Sequence, residues 1–179
     1  DVVLCGSLLE MRASDSGLNY FNVIVDGKQH SIVKVDGKEP KNIVLFEGEK
    51  GTYHIRLQRR TEGFNGLTTV YSFETDGELV LEQNDAPRRH IEFIGDSLTA
   101  GYGTDSASGS EPYTAETQNC NLAYGCYIAR YFNADYNLVA HSGQGVVRNY
   151  GDEKTTSDYT MLDRYGLLFD EADRERRYD

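Results

Sequence analysis

A chain of 179 residues with 39% apolar and 26% charged side chains is ordinary for a folded protein and leaves room for one large domain or two small ones. Eighteen Lys and Arg against 29 Asp and Glu give a net charge of −11, which argues against a nucleic-acid partner, because a binder must neutralise phosphates with a clustered basic surface. No apolar run reaches the ~18 residues a membrane-crossing helix needs. The nearest thing to a basic cluster, Arg88-Arg89-His90, reads as a linker or as the solvated start of a strand. Cys5, Cys120 and Cys126 form no ligand spacing, so a metal is not expected, and an odd count leaves at least one thiol unpaired within the chain. A Cys120–Cys126 disulfide stays open for an oxidising compartment, although Cys126 falls inside a predicted helix. The chain opens directly on the strand-like Val2-Val3-Leu4 without a signal peptide, so the natural amino terminus is expected to have been removed.

From Val2 to about Glu82 the pattern has period two and is punctuated by turns. Tyr20–Val25 leads into Asp26-Gly27 and Ser31–Val35 into Asp36-Gly37, and an Asp-Gly between β-rich runs marks a hairpin. Further strands are predicted over Asn42–Phe46, Tyr53–Gln58, Thr68–Glu74 and Glu78–Glu82. They are separated by Glu47-Gly48-Glu49-Lys50-Gly51, Gly63-Phe64-Asn65-Gly66 and Asp76-Gly77. About seven short strands at this spacing describe an antiparallel β-sandwich. The polar stretch Gln83-Asn84-Asp85-Ala86-Pro87-Arg88 favours neither helix nor strand, which divides the chain into a β-sandwich domain over 1–86 and a second domain over 87–179.

The second domain changes character. His90–Ile94 is a predicted strand that stops abruptly in Gly95-Asp96-Ser97-Leu98, and a loop of small and polar residues, Thr104–Pro112, follows. A helix is predicted over Leu122–Asn133 with Leu122, Cys126, Ala129 and Phe132 on one stripe. A second strand, Tyr136–Ala140, then meets the turn His141-Ser142-Gly143-Gln144-Gly145. Strand, turn, helix, strand, turn is a βαβ unit, so both turns should leave the carboxyl edge of one parallel sheet and Ser97 should neighbour Gly143.

A serine at that edge has the placement a nucleophile needs, because its hydroxyl is exposed and turn N–H groups can face an oxyanion forming beside it. Gly, Asp and Ser are also ordinary turn residues. Asp96 beside it suits a role in holding the turn through backbone hydrogen bonds more than one as acid or base. A serine nucleophile also needs a base within hydrogen-bond reach. His30 and His54 lie in the sandwich, and His90 begins the strand that Ser97 follows, roughly 20 Å away at about 3.3 Å per residue. His141 lies on the serine's edge and stays open as a base. Tyr102, Tyr113 and Tyr150 flank the expected cleft, where their rings either stack on sugars or simply pack.

Gly95-Asp96-Ser97-Leu98 resembles the first motif block of the GDSL or SGNH hydrolases. The β-sandwich, Asn19–Gly27 within it, Ile94–Gly103 and then Ser142–Gly151 together resemble carbohydrate esterase family 2. That resemblance implies a jelly-roll-like domain joined to a flavodoxin-like α/β SGNH domain with a parallel sheet. It implies O-acetyl ester hydrolysis on acetylated plant polysaccharides such as xylan and mannan, outside the cytoplasm and without a cofactor. It assigns Ser97 as nucleophile and Gly143 as a backbone donor of the oxyanion hole, with Gly145 in reserve. The family's later blocks, carrying an oxyanion Asn and the catalytic His, have no counterpart before Asp179, and two strands cannot cover both faces of a doubly wound sheet. A missing segment or a second chain is therefore expected to complete the domain. Two rival readings remain: another SGNH ester hydrolase acting on longer acyl chains, and a carbohydrate-binding protein whose hydrolase half does not work.

Overall fold

The first strand, β1 (Val2–Asp15), shows how the sheet is built. Its buried positions run Leu4 and Gly6, then Leu9, Met11 and Ala13, so the inward phase flips between Gly6 and Leu9. A register irregularity lies there, between Gly6 and Leu8 where β1 pairs with β4 (Lys41–Arg59). A bulge of this kind inserts residues into one strand and turns the following side chains over. The N–H groups of Ser7 and Leu8 that the irregularity frees are taken by Asp76 Oδ1 at 2.8 and 3.0 Å, which keeps both donors satisfied.

The computed structural model describes residues 1–81, 89–170 and 174–177. Its described residues fall into two units. The first holds Asp1–Arg60 and, from Asn65, the chain to Leu81; the second holds Thr61–Phe64 and the described residues from Arg89 onward. The polar stretch 83–88 expected to divide the chain lies outside the described residues, as do residues 82, 171–173 and 178–179.

The first unit is mostly antiparallel β-sheet. Between β1 and β4 in sequence lie β2 (Leu18–Val25) and β3 (Lys28–Asp36); β5 (Thr68–Thr75) and β6 (Glu78–Leu81) follow. Hydrogen bonds join all six into one path, β3-β2-β4-β1-β5, with β6 also on β1. Leu4, Leu9, Met11, Phe21, Val23, Val35, Leu45 and Ile55 are buried together in one apolar cluster. Each such side chain contributes about 1.5–3 kcal/mol relative to an exposed one.

Three turn readings need revision or refinement here. Asp26-Gly27 does close a two-residue hairpin, with φ of 49° and 77° and Val25 opposite Lys28. Asp36-Gly37 does not join neighbours, because β4 pairs with β1 and β2 and not with β3. Asp76-Gly77 is no hairpin either. Both β5 and β6 pair with β1, over Leu9–Asp15 and Val2–Cys5, so they run end to end past the irregularity that Asp76 caps. Glu47–Gly51, expected as a turn, lies inside the single long strand β4, where Gly51 opposes Gly6 and Glu47 opposes Leu8. Glycine and charge mark a bulge there as readily as a turn.

In the second unit, β7 (His90–Gly95) and β8 (Asp135–Ala140) pair in parallel, His90 opposite Asp135 through Gly95 opposite Ala140. Between them come a four-residue helix, α1 (Ser97–Ala100), and α2 (Tyr124–Tyr131); α3 (Met161–Arg164) follows β8. The predicted helix over 122–133 is therefore shorter at both ends. Cys126 and Ala129 of its stripe are buried, while Leu122 and Phe132 are exposed. Leu122 belongs to a preceding 3-10 turn capped by Asn119, and Phe132 is the C-cap, so neither keeps the helical phase of the two between them.

Candidate active site at the edge of the parallel strands

Each half of the site begins where a parallel strand ends. After β7 the chain turns at Gly95, where a Cβ would stand 2.1 Å from Thr99 Oγ1, so the close approach of α1 to the strand end requires glycine. Asp96 is the N-cap of α1: its Oδ1 accepts the Leu98 N–H at 3.0 Å and its carbonyl accepts those of Thr99 and Ala100. Ser97 follows as the first helical residue, and its carbonyl accepts the Tyr102 N–H at 3.0 Å as the chain leaves the helix. Neither the Ser97 hydroxyl nor its N–H has a hydrogen-bond partner among the described residues.

After β8, the His141 N–H donates to the Gly95 carbonyl at 3.1 Å and ties the second turn to the end of the first strand. Gly143 has a φ of +79°, left-handed backbone that suits glycine. Its carbonyl accepts the Tyr150 N–H at 2.8 Å, and its own N–H has no partner among the described residues. Gly145 differs, because its N–H donates to Asn149 Oδ1 at 3.0 Å. Of the two glycines of this turn, only Gly143 therefore has an N–H available to a ligand among the described residues.

These two turns line one cleft of about 570 Å³, whose wall includes Asp96, Ser97, Tyr102, Ser142, Gly143 and Tyr150. The structure thus brings Asp96, Ser97 and Gly143 to one cleft, and leaves His141 off its wall. Tyr102 stacks on Tyr113 with ring centroids 3.7 Å apart, and Tyr113 donates its hydroxyl to Gln118, so these two rings pack on each other. Tyr150 is 94% exposed at the cleft wall. Gln144 adds to the same wall a buried side-chain oxygen with no partner among the described residues, a feature that local sequence pattern does not announce.

Among the described residues no histidine lines the cleft. His141 Nδ1 lies 2.7 Å from Asp170 Oδ2, with Phe64 edge-on to its ring at 5.4 Å. Asp170 also accepts from Arg164. Burial pulls the Asp170 carboxyl upward, but the His141 ring and the Arg164 guanidinium outweigh it and hold the group below the usual carboxylate range. His90 pairs with Asp135 at the far end of the strands.

The three cysteines are free thiols, and burial pushes that of Cys126 up. Among the described residues there is no group of three His, Cys, Asp or Glu arranged to hold a metal, and no helix long and apolar enough to cross a membrane.

Comparison with known proteins adds that residues 1–83 match the model of the carbohydrate esterase 2 N-terminal domain. Beyond that domain the likeness continues into the serine-bearing unit. The chain is 33% identical over 162 residues to an acetylxylan esterase / glucomannan deacetylase of Cellvibrio japonicus, and 32% identical over 161 residues to the cellulase/esterase CelE of Acetivibrio thermocellus. Each match takes in 89% of this chain, but 44% and 19% of those proteins respectively. A family two carbohydrate esterase from Clostridium thermocellum, solved in complex with cellohexaose, superposes with a TM-score of 0.85 at 30% identity, over 99% of this chain and 53% of that one. The chain thus resembles carbohydrate esterases along its whole length while spanning about half or less of theirs.

Proposed function

We propose that this chain carries the nucleophile and part of the oxyanion hole of a carbohydrate O-acetyl esterase that removes acetyl groups from polysaccharides such as xylan and mannan. The observation that carries the reading is the pairing, across one cleft, of an unpartnered Ser97 hydroxyl with an unpartnered Gly143 N–H. Ser97 Oγ attacks the acetyl carbonyl, and the N–H groups of Ser97 and Gly143 receive the negative oxygen of the tetrahedral intermediate. One lost oxyanion donor typically costs about 3 kcal/mol of barrier. Asp96 serves by fixing the turn through its bond to Leu98.

The proton of Ser97 must pass to a base; His141, although oriented by Asp170, is not among the described residues that line the cleft, so a His from a further segment or a second chain suits that role better. The first unit is taken as a jelly-roll-like sandwich over 1–86, and 87–179 as part of an SGNH hydrolase domain of flavodoxin-like type. A polymeric substrate places the protein outside the cytoplasm. A second reading, carbohydrate binding without turnover, draws on the cellohexaose bound by the Clostridium thermocellum relative and on the exposed ring of Tyr150.

In the complete protein, Ser97→Ala should abolish p-nitrophenyl acetate hydrolysis and leave the melting profile unchanged. Turnover retained by that variant would remove Ser97 from its role. Binding of cello-oligosaccharide by a wild-type protein that never releases acetate would favour the second reading.

A further inference from the structure

Beneath the glycine turn lies a buried acidic side chain that the esterase reading does not use. Glu62 belongs to the four-residue segment Thr61–Phe64, which groups with the second unit, and it is only 6% exposed. Its two carboxyl oxygens take both hydrogen-bond donors of Ser142. Oε2 accepts the Ser142 backbone N–H at 2.6 Å, and Oε1 accepts the Ser142 hydroxyl at 2.5 Å. Oε1 also accepts Gln118 Nε2 at 2.8 Å. Gln118, fully buried, sends the same nitrogen to the carbonyl of Ala100 at 3.2 Å, and its oxygen faces the Glu62 N–H at 3.3 Å and the Tyr113 hydroxyl at 3.0 Å.

The connections are specific. Ser142 immediately precedes Gly143, so the peptide that carries the Gly143 N–H is held on one side by Glu62 and on the other by the Tyr150 N–H on the Gly143 carbonyl. Ala100 ends the helix that Ser97 begins. One buried carboxyl–carboxamide pair therefore links the helix of the nucleophile to the turn of the second oxyanion donor. A donor works only when it is already aimed at the place where charge develops, and a displacement of about 1 Å is enough to lose most of its effect.

Resting on the esterase reading above, we propose that Glu62 is a positioning residue for the oxyanion hole: it fixes Ser142 and so aims the Gly143 N–H at the reacting acyl oxygen. Glu62 touches no substrate. Its contribution belongs to the transition state, so removing it lowers kcat and leaves KM nearly unchanged.

The test uses the complete protein with p-nitrophenyl acetate, and with an aryl phosphonate that reacts at Ser97 to give a tetrahedral adduct. Glu62→Gln sets an amide donor against donors, and should lower kcat by about 10- to 100-fold with KM within about twofold, the phosphonylation rate falling in step. Ser142→Ala removes one of the two bonds to Ser142 and leaves the carboxyl among its remaining donors. It should cost about three- to tenfold in kcat, again without a change in KM, and it serves if Glu62→Gln does not fold. Folded variants with wild-type kcat and phosphonylation rate would overturn the positioning role while leaving the esterase reading intact, as would a rise in KM at constant kcat. A wild-type protein inert toward acetate esters would overturn the esterase reading and this role with it.

Discussion

The two units bury different things. In the β-sheet unit Leu4, Leu9, Met11, Val23, Leu45 and Ile55 are each 2% exposed or less and form one hydrocarbon cluster, beside a buried polar set of Asp15, Asn19, Asn22 and Arg60. In the serine-bearing unit the buried apolar residues are mostly small, such as Ala100, Ala123, Cys126 and Ala129. The larger buried groups there include Glu62, Gln118, Asn119, Asn121 and Arg164. Apolar burial is non-directional and roughly proportional to area, so it stabilises a sheet without dictating where any one atom sits. Hydrogen bonds are directional, and a buried polar group left without its partner costs about 1–3 kcal/mol. The apolar cluster of the first unit stabilises without direction, whereas the buried hydrogen bonds of the second hold particular atoms in place beside the cleft.

That contrast can be broken by substitution. The largest expected effect is in the hydrocarbon interior, where Met11→Ala should destabilise by about 2–5 kcal/mol through lost transfer energy and a residual cavity. Chemical denaturation followed by circular dichroism reads this, and a cost below 1 kcal/mol would mean the cluster is not the unit's core. Gln118→Leu should come next. The side chain is close to the same size and more apolar, yet it removes one donor from Glu62 Oε1 and the acceptor that the Tyr113 hydroxyl uses, and should cost about 1–3 kcal/mol. Stabilisation by that substitution would refute the claim that the second interior depends on its hydrogen bonds.

The smallest effect is at the surface of the sheet unit. The Ser7 hydroxyl first, then the Ser7 and Leu8 N–H groups, bring the Asp76 carboxyl down from 3.8 to about 2. A carboxyl lowered by folding contributes its stability above the unfolded value and loses it as pH falls toward the folded one. Stability should therefore decline between about pH 4 and pH 2, and the decline should be shallower in Asp76→Asn. Parallel acid titrations of the two proteins, read by the denaturation midpoint, would show identical slopes if Asp76 played no part.

The parts of the molecule that local pattern governs were legible in the sequence. The run Ile91–Ser97 announced a strand ending in a turn, Tyr136–Ala140 announced its parallel partner, and the two turns do share a cleft. Asp26-Gly27 was legible because a two-residue turn needs only its own backbone angles. What failed depended on partners distant in sequence. Glu47–Gly51 and Asp76-Gly77 look like turns until β1 is seen opposite both, and Leu122 and Phe132 look like a helix face until the caps take them off the helix. Glu62 gave no local signal at all. It follows Arg59-Arg60-Thr61 in what reads as a solvated connection between strands, and only its bonds to Ser142, 80 residues on, show its place.

The excursion of Thr61–Phe64 has a consequence for how this protein can be divided. The segment is encoded between two strands of the sheet unit, inside the stretch matched by the N-terminal domain model, yet its side chains serve the other unit. A gene cut at the seam near residue 86 would separate the serine from the carboxyl that steadies its neighbouring turn. Moving the serine-bearing unit onto a different carrier would therefore require grafting those four residues along with it.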